Sequence, residues 1–201
     1  MKKIFTLKYL LVLVMVFYGF AIQAASNDLI TEQVTISLNW PGDLQNKIGW
    51  GKKYKITNLK IIGKIDASDF SLIRDMAGRD KEGYPTEGNL QILDLSEANI
   101  VNSGGDYYLH ENGYYYYTKE KEIGTSAFAG CSNLTDLKLP VNITAIGDYA
   151  FYGCTGLTSL TIPSHVVSIG RSAFGLCENL SSLYIPSSVV SIGDKAFFNC
   201  N

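Results

Sequence analysis

The chain has 201 residues, 46% of them hydrophobic and 12% aromatic, which is enough apolar material for a packed core and excludes a disordered polymer. Its 17 basic and 19 acidic side chains give a formal charge of −2 with no long block of one sign. That balance excludes the basic face by which proteins displace counterions from nucleic acid, so no nucleic-acid partner is expected.

Residues 1–24 have the layout of a secretory signal peptide. Lys2, Lys3 and Lys8 precede an apolar run of 14 residues from Tyr9 to Ile22, too short to span a bilayer comfortably, and Gln23, Ala24, Ala25 and Ser26 suit cleavage after Ala24. The alternative is an uncleaved anchor; once the segment is removed, no membrane span is expected. The first cysteine is Cys131, so attachment of a lipid to a cysteine at the mature N-terminus is not expected. Loss of the three lysines leaves 14 basic against 19 acidic side chains, a formal charge of −5.

Residues 25–55 read as an N-terminal cap: Val34, Ile36 and Leu38 alternate like a strand, and Pro41 to Ile48 fits a short helix. Residues 56–121 carry two irregular strand patterns, Ile56-x-x-Leu59-x-Ile61 and Leu90-x-x-Leu93-x-Leu95. Between them Phe70, Ile73 and Met76 share one face of a helix that Ser68 or Asp66 could cap and Gly78 could end, expected on the convex side. The loop from Gly78 to Gly88 holds Asp80, Glu82 and Glu87 but lacks the alternating ligands of a calcium loop, and reads as a solvated connection. From about Val101 to Lys121 runs an insertion holding Tyr107, Tyr108, Tyr114, Tyr115, Tyr116 and Tyr117. It suits protein or sugar recognition, because tyrosine gives large contact area with a polar tip, or equally a β-hairpin packed on the convex flank.

Residues 122–201 repeat one motif with a 23-residue period. Leu134, Leu157 and Leu180 open successive copies, and Leu137, Leu160 and Leu183 follow; then come Leu139, Ile162 and Ile185, each before a proline. Ile123, Ile146, Ile169 and Ile192 each precede a glycine, and Phe128, Phe151, Phe174 and Phe197 each follow an alanine. The copies starting at Leu157 and Leu180 agree at 14 of 22 compared positions, which excludes coincidence. Alternating inward leucines define a short strand that proline ends, because it has no N–H for a ladder. The Ile-Gly pair reads as a turn that tolerates positive φ, and Ala-Phe as a short helical turn filling the interior from the other side. The implied fold is an α/β solenoid: parallel strands on the concave face, short helical turns on the convex face, each coil stable only when stacked. The array runs to Cys200 and Asn201 with no C-terminal cap in view, which predicts a longer repeat protein.

The pattern L-x-x-L-x-[LI]-P-x-x-[IV]-x-x-I-G-x-x-A-F-x-x-C, strict over residues 122–201, resembles the BspA-like, or Treponema pallidum-type, leucine-rich repeat. The resemblance implies a bacterial cell-surface or extracellular protein that adheres to host or neighbouring-cell proteins. The physical reading alone supports an exported scaffold with a repetitive face, and its ranked alternatives are a passive spacer displaying another domain and, last, a glycan-processing enzyme.

Cys131, Cys154, Cys177 and Cys200 occupy one phase of the repeat and so form a column. A straight column cannot make the tetrahedron zinc requires. Disulfides between neighbours about 5 Å apart are conceivable, but recurrence at a small apolar position favours buried free thiols. His110 in a loop and His165 on a turn follow no nucleophile motif, and the acidic residues are unpaired, so neither an enzyme nor a cofactor is expected. Two surfaces remain as binding candidates for extracellular proteins or glycans. One is the solvent side of the strands, with rows Thr135, Asp136 and Lys138, then Thr158, Ser159 and Thr161, then Ser181, Ser182 and Tyr184; the other is the tyrosine insertion.

Overall fold

A computed structural model describes residues 28–102, 105–109 and 113–200. The expected signal peptide, its cut after Ala24, and His110 lie outside the described residues. In chain order come β1 (Val34–Leu38), α1 (Leu44–Ile48), β2 (Asn58–Ile65), α2 (Ala67–Met76) and β3 (Ile92–Ile100). A hairpin of β4 (Tyr108–Leu109) and β5 (Tyr115–Tyr116) follows. The repeats then supply β6 (Glu122–Ile123), β7 (Asp136–Lys138), β8 (Ala145–Ile146), β9 (Ser159–Thr161), β10 (Ser168–Ile169), β11 (Ser182–Tyr184) and β12 (Ser191–Ile192).

The strands stack into two parallel ribbons. The first runs β1-β2-β3-β7 and resumes in β9-β11; the second runs β6-β8-β10-β12. In the first, Val34 faces Leu59, Leu59 faces Leu93 and Leu93 faces Leu137, so leucines of the irregular strands stand in the same column as those of the repeats. Between β9 and β11, Leu160 faces Leu183; along the second ribbon, Ile123 faces Ile146, Ile146 faces Ile169 and Ile169 faces Ile192. All these repeat partners are 23 positions apart. Leu137 and Leu160 are buried between exposed neighbours, the burial that strict alternation demands.

One continuous core joins the two halves, from Ile36 to Ala196. Its axis is a phenylalanine stack: Phe128 to Phe151, Phe151 to Phe174 and Phe174 to Phe197 have ring centroids 5.4, 5.1 and 5.5 Å apart and planes within 12° of parallel. Phe70 of α2 extends it, meeting Phe128 edge-on at 5.7 Å. The helix thus takes the place in the stack that Ala-Phe takes in later coils. Asp66 caps α2 in a reciprocal capping box with Asp69. The Asp69 carboxylate also accepts from the amides of Gly42 and Leu44 at 2.7 and 3.0 Å, which ties the α1 segment to α2.

Two expectations are corrected. The Ala-Phe segment is not helical; it is a run of tight turns, with the Ala127 amide donating to Gly124 O, Ala129 to Ser126 O and Cys131 to Phe128 O. Left-handed residues interrupt any helix there: Ser126, Tyr149, Ser172 and Lys195 have φ of 57°, 55°, 48° and 56°. The glycine of Ile-Gly is also not there for positive φ. A Cβ on Gly170 would sit 2.5 Å from Asp148 N, and one on Gly193 2.5 Å from Arg171 N. These glycines let neighbouring coils approach backbone to backbone, and Ile-Gly belongs to the second ribbon, which sequence reading did not anticipate.

The turns also stack by hydrogen bonds of one polarity. Amides of Ser126, Phe128 and Gly130 donate to carbonyls of Asp148, Ala150 and Tyr152 at 2.9, 2.7 and 2.8 Å, and the same pattern recurs in the next two coils. In the first coil the equivalent carbonyls are those of Thr125, Ala127 and Ala129. They accept instead from side chains: the Tyr107 hydroxyl to Thr125 O at 2.7 Å, and Arg74 Nη1 and Nη2 to Ala127 O and Ala129 O, both at 3.2 Å. The Arg74 guanidinium, wholly buried, further donates to Ser126 O at 2.9 Å and Asp80 O at 3.2 Å and lies 4.6 Å from the Tyr108 ring centroid. Two side chains replace a missing coil.

Candidate functional site

The nine residues expected on the strand face, Thr135, Asp136, Lys138, Thr158, Ser159, Thr161, Ser181, Ser182 and Tyr184, are all exposed. The first ribbon brings them together because its alternate residues, Leu137, Leu160 and Leu183, turn into the core or pack against it. Three of the nine serve the stack itself: the Thr135 hydroxyl donates to Gln91 O at 3.2 Å, Ser181 donates to Thr158 O at 3.3 Å, and Lys138 bonds to Asp94 of the preceding strand. Upstream, the same ribbon carries cross-strand ion pairs, Lys60 with Glu97 at 2.6 Å and Lys138 with Asp94 at 3.2 Å. Burial opposes ionisation of Asp94, yet bonds from the Ser96 hydroxyl and amide and from Lys138 outweigh it and hold the carboxyl below its ordinary value. The ribbon therefore passes from charge pairs to hydroxyls to an exposed ring at Tyr184.

Between β7 and β9 the ladder is interrupted: among the described residues the two strands belong to separate sheets. A cleft of about 410 Å³ opens at the interruption, lined by Asp136, Lys138, Val141, Ser159, Thr161 and His165, among others. His165 is exposed, with Nδ1 3.2 Å from Val141 O. Another groove follows the second ribbon past Glu122, Asp148 and Arg171.

The tyrosine insertion divides. Tyr107 is buried as the cap described above, and burial drives its phenol well above the ordinary range. Tyr108 and Tyr116 stack on each other at 6.1 Å across the hairpin, and both pack against the core. Tyr114, Tyr115 and Tyr117 are exposed and available to a partner. Packing thus claims half of this candidate surface.

The four cysteines are free thiols. Sγ of Cys154, Cys177 and Cys200 each donates to the carbonyl of Phe128, Phe151 or Phe174 in the preceding coil, all at 3.0 Å. Desolvation raises all four thiols, Cys177 to about 12. Among the described residues no group of three histidine, cysteine, aspartate or glutamate side chains could hold a metal ion, and no helix is long and apolar enough to cross a membrane. In the Gly78–Gly88 loop, Asp80 Oδ1 accepts from the Tyr84 amide at 2.7 Å and Thr86 donates to Asp75 O at 2.5 Å, bonds that build a turn.

Sequence reasoning missed Arg74, and it placed Tyr107 on a recognition surface rather than in the cap. A signal existed for the first: Phe70, Ile73, Arg74 and Ala77 share a helix face, so a cation sits in an otherwise apolar stripe.

Residues 117–201 match the model of the BspA type leucine rich repeat region, in six copies. The search of curated proteins found no match. Among solved structures, a T. pallidum leucine-rich repeat protein is 27% identical with a TM-score of 0.37, over 39% of this chain and 48% of that one. A leucine-rich repeat protein from Bacteroides ovatus is 26% identical with a TM-score of 0.46, over 73% of this chain and 36% of that one. The chain thus spans about half the length of the first relative and about a third of the second. Over residues 117–201 the chain carries a BspA-type leucine-rich repeat region.

Proposed function

We propose that this chain is an exported, non-catalytic binding module of a bacterial cell surface or the extracellular space, and that it adheres to extracellular proteins or glycans of a host or neighbouring cell. Its repeat unit is the 23-residue coil, and its docking face is the first ribbon. The observation that supports this reading is the exposure, in aligned rows, of all nine polar candidates from Thr135 to Tyr184. The cleft between β7 and β9 adds depth to an otherwise open face, and Tyr114, Tyr115 and Tyr117 extend the contact surface.

The test is retention of purified protein on an array of extracellular matrix proteins and glycans, with Thr161→Arg and Tyr184→Ser as ribbon variants and a second set changing Tyr114, Tyr115 and Tyr117 to Ser. Adhesion predicts retention that the ribbon variants abolish while thermal unfolding stays unchanged. If nothing is retained, a spacer displaying another domain becomes the better reading; if all variants bind like the parent, the first ribbon is not the docking face. Export predicts that protein recovered outside the producing cell begins at Ala25.

A further inference from the structure

A second cleft, of about 370 Å³, lies away from the ribbon, between α1 with its following loop and the outward face of α2. Trp50 forms one wall and is 78% exposed, a large ring that the core does not use. The opposite wall is built by periodicity: Ser68, Ser71 and Asp75 fall at helical spacing on one face of α2, so two hydroxyls and a carboxylate point the same way. Gln45 of α1 closes one end, and its buried Nε2 has no hydrogen-bond partner among the described residues. Lys53 Nζ lies 2.5 Å from Asp75 Oδ2 and 5.8 Å from the Trp50 ring centroid, so the pair spans the cleft and compensates its own charge.

An aromatic wall facing a charge-balanced row of donors and acceptors selects a particular chemistry. The charged groups lining the cleft are already engaged, Lys53 with Asp75, Lys81 with Asp106 and Asp80 Oδ1 with the Tyr84 amide, which disfavours an ionic ligand. A purely apolar one would strand the serine hydroxyls. A hexopyranose satisfies both walls: the C–H groups of one sugar face carry the positive edge that the indole quadrupole attracts, and vicinal hydroxyls both donate and accept. The volume sits at the small end of ligand pockets, suited to one or two rings. We propose that this cleft is a carbohydrate subsite that stacks a neutral hexopyranose residue on Trp50, with Asp75 accepting from, and Ser68 and Ser71 donating to, its hydroxyls. The subsite is independent of the ribbon and stands whether or not the ribbon docks a protein.

The experiment titrates the full chain with neutral gluco-, galacto- and manno-configured trisaccharides at millimolar concentrations, read by tryptophan fluorescence and calorimetry. Saturable binding of at least one, with a blue shift of emission, is the expected result. Trp50→Ala should weaken it about tenfold or more, Trp50→Phe less, and Ser71→Ala several-fold. Trp40→Ala, a change at the other exposed tryptophan, should leave it intact. Because Trp50 is on the surface, its variants keep the thermal midpoint, which circular dichroism checks. Binding that survives Trp50→Ala, or the absence of binding to every saccharide, overturns the proposal. Thr161→Arg on the ribbon should leave sugar binding untouched, so failure of the ribbon and failure of this subsite give different patterns.

Discussion

Replacing Arg74 by Met keeps the length and apolar stem of the side chain and removes every donor. The carbonyls of Asp80, Ser126, Ala127 and Ala129 then lose a partner inside the protein, since Arg74 is wholly buried. Bonds to a charged donor contribute about 1.5–3 kcal/mol each, a gross loss of roughly 6–12 kcal/mol for four. Against that stands the desolvation of a guanidinium that no carboxylate accompanies among the hydrogen bonds it makes, several kcal/mol that the variant no longer incurs. The expected net destabilisation is about 3–5 kcal/mol. Arg74→Lys should recover only part of it, because an ammonium is a single point and cannot fork across carbonyls of successive residues. Urea unfolding followed by circular dichroism reads the global effect. Because coils of a solenoid can open separately, hydrogen exchange at the Phe128 and Gly130 amides reads the local one. A loss below about 1 kcal/mol, or unchanged exchange at those amides, would refute the view that Arg74 stands in for a coil.

Gly170→Ala should destabilise by roughly 2–3 kcal/mol, since its Cβ would meet Asp148 N and Gly147 C at 2.5 Å, whereas Gly51→Ala, with nothing within 4 Å, should stay within about 0.5 kcal/mol of the parent in the same urea assay. At pH 8 a thiol reagent should label Cys200 first in the folded protein, and Cys131, Cys154 and Cys177 only at the rate of unfolding. The raised thiols set the sign of an alkaline effect: the folded state keeps protons that the unfolded state releases, so stability is full below the ordinary thiol value of 9.0 and falls as pH rises above it, and Cys154→Ala should make that fall shallower.

The ribbon, its polar rows and the shared core were legible because each follows from a strict alternation of inward and outward residues. Leu59, Leu93 and Leu137 could be placed in one column despite unequal spacing, since the strand pattern survives wherever the loop lengths vary. What sequence reading lost was set by contacts between coils rather than within one. The glycine after Ile146 or Ile169 looks like a turn residue until the next backbone is seen lying against it. Ser172 and Tyr149 carry no warning that they are left-handed, because neither is a residue type that favours that region. Tyr107 and Tyr115 read alike in sequence, yet one caps a ladder and the other faces solvent; only the course of the hairpin separates them. The Trp50 cleft depends on two short helices meeting, a contact no local pattern announces.

The polarity of the stacked turns accounts for the irregular N-terminal half. In the stacked turns each coil presents carbonyls toward the preceding coil and amides toward the following one, so whatever covers the turns of the first coil must be rich in donors. A helix offering carboxylates there would set acceptors against acceptors. Arg74 brings the fork of a guanidinium and Tyr107 a hydroxyl, and Arg79 Nε adds a bond to Gly130 O at 3.1 Å, so one edge is met by donors from α2 and two connecting segments. Because β3 pairs with β7 at Leu93 and Leu137, the same N-terminal half also fixes the phase of the first ribbon. Weakening the cap should therefore disturb the polar rows nearest it, at Thr135 and Lys138, before those at Ser182 and Tyr184, and ligand contacts on the two ends of the ribbon should lose affinity in that order.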